Sequence, residues 1–219
     1  MSTKNNITGR ILAMLLTLTF AAILTSLCIE RTYAETEWKT CGTCEWKIDS
    51  EKTLILRPTD GISGELDDWE ESPPWRYNMD KIEKVKIMPG VKAVTCRNMF
   101  INLRLLKDID ISNLDTTDVQ DMKGMFEGCE EVTKLTLNGI STSKVTTMEN
   151  MFQRMYRLEQ VNTSALDTSN VTSMKSMFRS CGSLTSLDLS NFKTTKVNNM
   201  TTMRSEEHTS ELQSPIVIS

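Results

Sequence analysis

The 219-residue sequence carries a single histidine, His208, with five prolines, nine glycines and only 6% aromatic residues. One histidine and six cysteines leave little material for a metal centre or a histidine-dependent active site. The formal net charge of −4 provides no basic footprint for nucleic acid. Apolar residues, at 39%, are too frequent for a disordered chain, and the length suits one sizeable folded unit or two small ones.

What is present begins with a targeting pattern. Lys4 and Arg10 precede an uncharged, mostly apolar run over residues 11–27, and Thr32-Tyr33-Ala34 ends in a small residue. This basic, apolar, small-residue order predicts a secretory signal peptide over 1–34, cleaved after Ala34. An uncleaved anchor competes, since 17 residues are marginal for a membrane span. Bulky Leu27 argues against lipid attachment at Cys28. The mature chain is expected to be exported, without membrane insertion.

The dominant signal is a repeat. Valines 119, 145, 171 and 197 are spaced 26 residues apart, and each opens V-x-x-M-x-x-M. The first three copies end in Phe126, Phe152 and Phe178, and Met99-Phe100 already holds the register upstream. A second pattern, L-x-x-L-x-L-x-x-apolar, follows each Met-Phe: Leu106/Ile109/Ile111/Leu114, Val132/Leu135/Leu137/Ile140, Leu158/Val161/Thr163/Leu166 and Leu184/Leu187/Leu189/Phe192. This is a leucine-rich-repeat strand signature, and its fixed period predicts a solenoid whose units bury their apolar faces only against one another.

Within a unit, the L-x-L alternation predicts a strand buried on one face. Asp115-Thr116-Thr117 and Asp167-Thr168-Ser169 supply turn and helix-cap chemistry. Val119, Met122, Met125, Phe126 and Cys129 match one helical face. The expected fold is therefore an α/β solenoid, a leucine-rich-repeat-like stack of strand-plus-short-helix coils with an N-terminal β-rich cap. Strands of successive coils should pair in parallel, rising roughly 4.8 Å per repeat. The repeat methionines read as core filler rather than a metal or promiscuous binding surface.

Cys129 and Cys181 share a core slot with Leu103 and Met155 and stand two repeats apart, too far for a disulfide. Cys96 falls in the Met122 slot. Near the mature N-terminus, Cys41-Gly-Thr-Cys44 lacks the βαβ context of a redox motif and the second ligand pair of a zinc site. In an exported chain it predicts a structural disulfide, with Cys44 paired to Cys96 or Cys41 to Cys44. No metal and no cofactor are expected.

Residues 35–92 differ from the repeats and hold all four tryptophans: Trp38, Trp46, Trp69 and Trp75. Residues 45–56 alternate around a polar Asp49-Ser50-Glu51-Lys52 turn, which predicts a β-hairpin. Ile82, Val85 and Ile87 repeat the strand spacing and feed the stack over 93–203. The region is placed to cap the solenoid. A tryptophan-lined carbohydrate platform is the competing reading.

The unit best seen over residues 171–195, V-x-x-M-x-x-M-F-x-x-C-x-x-L-x-x-L-x-L-S-x-F-x-T-T, resembles the BspA-type repeat of bacterial surface proteins. Residues 42–50 (Gly-Thr-Cys-Glu-Trp-Lys-Ile-Asp-Ser) and Pro74-Trp75 resemble the N-terminal region common in those proteins, so the likeness runs over about residues 38–203. It implies an exported, non-enzymatic leucine-rich surface protein, often of Gram-positive bacteria, with a part in adhesion. The third copy departs from the pattern at Met155 and Thr163, so that coil is expected to pack less tightly. At residue 204 the register demands Phe, but Arg204 stands there. Residues 204–219 resemble the translation of a sequencing-adapter oligonucleotide, which predicts a tail foreign to the protein and a natural chain that continues.

Two function classes follow. As a binding module, the solenoid would present outward ladders: Asp108/Lys134/Gln160/Ser186, Asp110/Thr136/Asn162/Asp188 and Ser112/Asn138/Ser164/Ser190. The expected partner is a host or neighbouring-cell surface protein or glycan, met at the cell surface. As an enzyme, the chain offers only an acidic loop, Asp67, Asp68, Glu70 and Glu71 beside Trp69, and no catalytic residue is assigned. A stalk, or the N-terminal part of a secreted enzyme whose catalytic domain lies elsewhere, fits the same pattern. Asn162-Thr-Ser and Asn170-Val-Thr match glycosylation acceptors, which matter only in a eukaryotic source.

Overall fold

The computed structural model describes residues 36–204 and 216–217. The expected signal segment, His208 and most of the expected foreign tail lie outside the described residues. Among the described residues no helix is long and apolar enough to cross a membrane.

Strands β1 (Lys39–Cys41), β2 (Cys44–Ile48) and β3 (Thr53–Pro58) form an antiparallel meander. The β2–β3 turn is held by the Asp49 carboxylate, which accepts the N–H groups of Glu51 and Thr53 at 2.9 Å each. Strand alternation turns Trp46, Ile48, Leu54 and Leu56 inward, all at most 4% exposed. A short β4 (Gly64–Glu65), a single 3-10 turn (Pro74–Asn78), β5 (Lys84–Ile87) and β6 (Val91–Lys92) lead into the repeats. These add β7 (Asp108–Asp110), β8 (Leu114–Asp115), β9 (Lys134–Thr136), β10 (Gln160–Asn162) and β11 (Leu187–Asp188), with β12 (Ile216–Val217) parallel to β11.

The chain winds as a β-solenoid. On one wall, β3, β5 and β7 pair in parallel and β9 pairs in parallel with β10. A second wall is the parallel set β4-β6-β8. A third is a line of parallel bridges through Asp121, Thr147, Ser173 and Asn199, one coil apart.

The expected short helices are absent from the described repeats, and the reason lies in backbone conformation. Residues 122–129 form a staircase of tight turns, in which Met125, Glu127 and Cys129 donate to carbonyls three residues back, at 3.1–3.3 Å. The intervening N–H groups of Gly124, Phe126 and Gly128 donate outward to Glu149, Met151 and Gln153 of the next coil, at 2.8–2.9 Å. An α-helix would spend all of these donors internally. Two positions per coil adopt positive φ: Asn98, Gly124, Asn150, Ser176 and Thr202 at one, and Asn102, Gly128, Arg154 and Ser180 at the other. A positive φ at the third residue of a turn is the type II requirement, met best by Gly or Asn. Likewise Asp115 and Asp167 cap no helix. Each accepts the N–H and the hydroxyl of the residue two further on, in an Asx turn.

Inside the coils, Phe100, Phe126, Phe152 and Phe178 stack with ring centroids 5.7, 5.9 and 5.0 Å apart, flanked by methionine ladders with no solvent exposure from Met99 to Met177. At Met200 the ladder emerges, with 37% of the residue exposed. Polar staples share this interior. Buried Thr142 donates its hydroxyl to the Asp167 carbonyl at 3.0 Å and accepts the Asp167 N–H at 2.7 Å. Thr116 does the same with Ser141, and Thr168 with Lys193. Thr163 does not loosen its coil: it is 4% exposed, and its hydroxyl reaches the Asp188 carbonyl at 2.6 Å.

Three tryptophans close the apolar interior at the N-terminal side. Trp46 and Trp69 each meet Trp75 edge to face, with centroids 6.1 and 5.6 Å away, and the Trp75 and Trp69 indoles donate to the carbonyls of Met99 and Arg97. All three are at most 8% exposed, so their rings are spent on packing. Ion pairs outside follow the period: Lys92–Asp118–Lys144, Lys123–Glu149 and Arg157–Glu131 each join neighbouring coils. Such exposed pairs contribute little individually.

Thr142→Val should cost about 1–3 kcal/mol in urea unfolding, because it strands the part-buried N–H and carbonyl of Asp167. The exposed Thr185→Val should change little. At the positive-φ positions, Gly128→Ala should cost about 1–2 kcal/mol, since a Cβ there would lie 2.5 Å from Asn102 Oδ1. Ser180→Gly should instead stabilise by about 0.5–1 kcal/mol, read in the same unfolding series.

Candidate functional site

The outward positions of the first wall follow directly from strand alternation. Asp108 and Asp110 on β7, Lys134 and Thr136 on β9, Gln160 and Asn162 on β10, and Asp188 on β11 are all exposed, with inward neighbours Ile109, Leu135, Val161 and Leu187 between or beside them. Register aligns Lys134 with Gln160 and Thr136 with Asn162. It also aligns Lys84 with Asp108 and Lys86 with Asp110, so two lysines of β5 extend the face. No strand ladder joins β7 to β9 or β10 to β11, so the expected residues fall into a β7 pair, a β9–β10 quartet and Asp188.

The two ladders differ in what their side chains already do. Asp110 Oδ1 accepts the Ser112 hydroxyl at 2.7 Å and its N–H at 3.1 Å. Asn162 does the same for Ser164, and Asp188 accepts the N–H of Ser190. These side chains close the turn after each strand. The Ser112 hydroxyl and N–H, with Lys86 nearby, hold the Asp110 carboxyl below the ordinary range. The Ser190 N–H and hydroxyl do the same for Asp188. Asp108, Lys134, Gln160 and Thr136 carry no such turn bond among the described residues, so they are the exposed side chains of these strands without a part in turn closure. The sequence pattern located the face, but the turn role of Asp110, Asn162 and Asp188 lay in the serine two residues on, a signal present and unread.

The acidic loop is placed differently. Asp68, Trp69 and Glu70 line an open depression of about 420 Å³ with Val94, Thr95, Arg97, Asp118, Gln120 and Asp121. Arg97 pairs with Asp121 at 3.2 Å. No group of three or more potential metal ligands occurs among the described residues.

The disulfide expected at Cys41, Cys44 or Cys96 is not closed here, for all five described cysteines are free thiols. Cys96 sits in the methionine ladder without solvent exposure, and burial raises its pKa. Cys129 and Cys181 are buried free thiols whose sulfurs donate to the carbonyls of Phe100 and Phe152 at 3.2 and 3.0 Å.

A family model described as "Mycoplasma protein of unknown function, DUF285" matches residues 94–216, more than half of the chain. The chain belongs to the DUF285 family. A leucine-rich repeat protein from Eubacterium ventriosum is structurally similar over 76% of this DUF285 chain and 73% of its own length, at 12% identity. The TM-score of that match is 0.29. No curated protein matches the chain.

Asp110→Ala should lower stability by up to about 1 kcal/mol near pH 7, whereas Asp108→Ala should leave it unchanged. The Asp110 carboxylate contributes above its unfolded pKa of about 3.9, and that contribution is lost as the pH falls through its lower folded value. The difference between Asp110→Ala and the parent should therefore shrink in chemical denaturation as the pH is lowered through that folded value.

Proposed function

We propose that this chain is the solenoid part of an exported, BspA-like surface protein, and that the β7–β9–β10 face binds a protein or glycan on a host or neighbouring cell. The observation that carries the reading is the division of labour on that wall. Asp110, Asn162 and Asp188 are spent on turn closure, while Asp108, Lys134, Gln160 and Thr136 stand exposed on strands fixed by parallel pairing. Side chains on a rigid sheet lose little freedom when they engage a ligand, which favours contact over a flat area. The 26-residue V-x-x-M-x-x-M-F unit and the signal-like residues 1–34 support the surface placement.

The test displays the full chain on a non-adherent bacterium and counts attachment to an epithelial monolayer. Lys134→Glu with Gln160→Ala should reduce attachment about tenfold or more. Lys193→Glu, on the second wall, should not. Equal attachment by all three displayed chains would sink the assignment of the face.

A further inference from the structure

Two thiols face each other at the tip of the first hairpin. β1 and β2 are joined by Gly42 and Thr43 alone, and their register sets Cys41 directly opposite Cys44. Residues so opposed have Cα atoms about 4.5–5.5 Å apart and side chains on one face. A disulfide accepts Cα separations of about 4.4–6.8 Å. Both thiols turn inward, 3% and 0% exposed. Each lies against the segment that crosses beneath the turn. The backbone N–H of Asp67 is bonded to the Cys41 sulfur, and a Cβ on Gly64 would come within 2.9 Å of Cys44 Sγ.

The turn between them is a clamp. Thr43 donates its N–H to the Glu65 carbonyl at 2.9 Å and accepts the Glu65 N–H on its hydroxyl at 2.8 Å. Thr59 donates both its N–H and its hydroxyl to the Thr43 carbonyl, at 3.0 and 2.9 Å. Through these bonds the hairpin tip holds β4, the first strand of the second wall, in parallel register with β6 and, beyond it, β8 of the first coil.

We infer that Cys41 and Cys44 are a disulfide-forming pair, whose closure across the Gly42-Thr43 turn locks that turn, and β4 with it, onto the start of the coil stack. The structure described here is the open, dithiol form. In closing, the two S–H bonds break and an Sγ–Sγ bond forms. Two electrons and two protons pass to an external disulfide, protein-borne or glutathione, which leaves as two thiols. Cys96, the rival partner, occupies an inward ladder slot held by methionine in the next coil, whereas the β1–β2 register sets Cys44 directly opposite Cys41. The pair is not built for catalytic exchange: burial and the neighbouring Cys41 sulfur push Cys44 up to about 11, which leaves scant thiolate at neutral pH. A structural lock needs no such nucleophile once closed.

The experiment uses the full chain, equilibrated with oxidised glutathione or with dithiothreitol, alkylated in denaturant and digested with trypsin. Residues 40–47 form one tryptic peptide holding both cysteines, and residues 93–97 another holding Cys96. Expected after oxidation is a 40–47 peptide lighter by two hydrogens and unalkylated, with Cys96, Cys129 and Cys181 alkylated. A cross-link between 40–47 and 93–97, or alkylation of both Cys41 and Cys44, would overturn the pairing. Hydrogen exchange tests the lock: amides of Thr43 and Glu65 should slow about tenfold on oxidation. In Cys41→Ala and Cys44→Ala, oxidation should change nothing at those amides. Equal exchange in the two forms of the parent would overturn the lock even with the bond formed. Neither readout involves ligand binding, so the outcome is independent of the face on β7, β9 and β10.

Discussion

The fold depends on backbone hydrogen bonds that run along the stack rather than around each coil. In residues 122–129 every second N–H leaves its own coil for a carbonyl 25 residues further on. That requirement fixes the period, since any change in coil length would break the alignment of donors and acceptors along the whole staircase. It also explains the identical slots within. Phenylalanine falls over phenylalanine, methionine over methionine and threonine over threonine because the backbone register leaves them no alternative.

The register has a conformational cost. The turn staircase offers two positions of positive φ per coil, and the residues that accept this cheaply are not used evenly there. Asn98, Asn102, Gly124 and Gly128 serve the first two coils, whereas Arg154, Ser176, Ser180 and Thr202 serve later ones. Gly128 has a further duty, because the space above it lets Arg154 reach Asn102 Oδ1, two coils away, at 3.1 Å.

Much of this was legible from residue spacing. The valine period, the inward L-x-L strands, the β2–β3 hairpin and the exposed positions at 108, 134 and 160 follow from counting alone. Helix was misread from steps of three because apolar positions 119, 122 and 125 suit a helix face and a turn staircase alike. The distinguishing residues were the Gly and Asn at 98, 102, 124, 128 and 150, weak inside a helix and apt for positive φ. Thr116 and Thr168 were read within turn and helix-cap segments, and buried Thr142 shares their slot. Their hydroxyls instead bond one residue of the neighbouring coil, a partner that no local window contains. The candidate face was legible as positions, but not the division between turn-closing and unengaged side chains, which depends on rotamers.

The placement of the aromatic residues gives the molecule two separate optical reporters. Every tryptophan lies before residue 76, three of them in the cluster beneath the first coil and Trp38 against Lys47 and Arg57, while the described coils beyond Lys92 hold stacked phenylalanines and the single Tyr156. Indole fluorescence therefore registers the loss of the N-terminal packing, and the near-ultraviolet dichroism of the phenyl column registers the unstacking of the coils. If the two parts melt apart, the two spectra will separate on the same sample without any label.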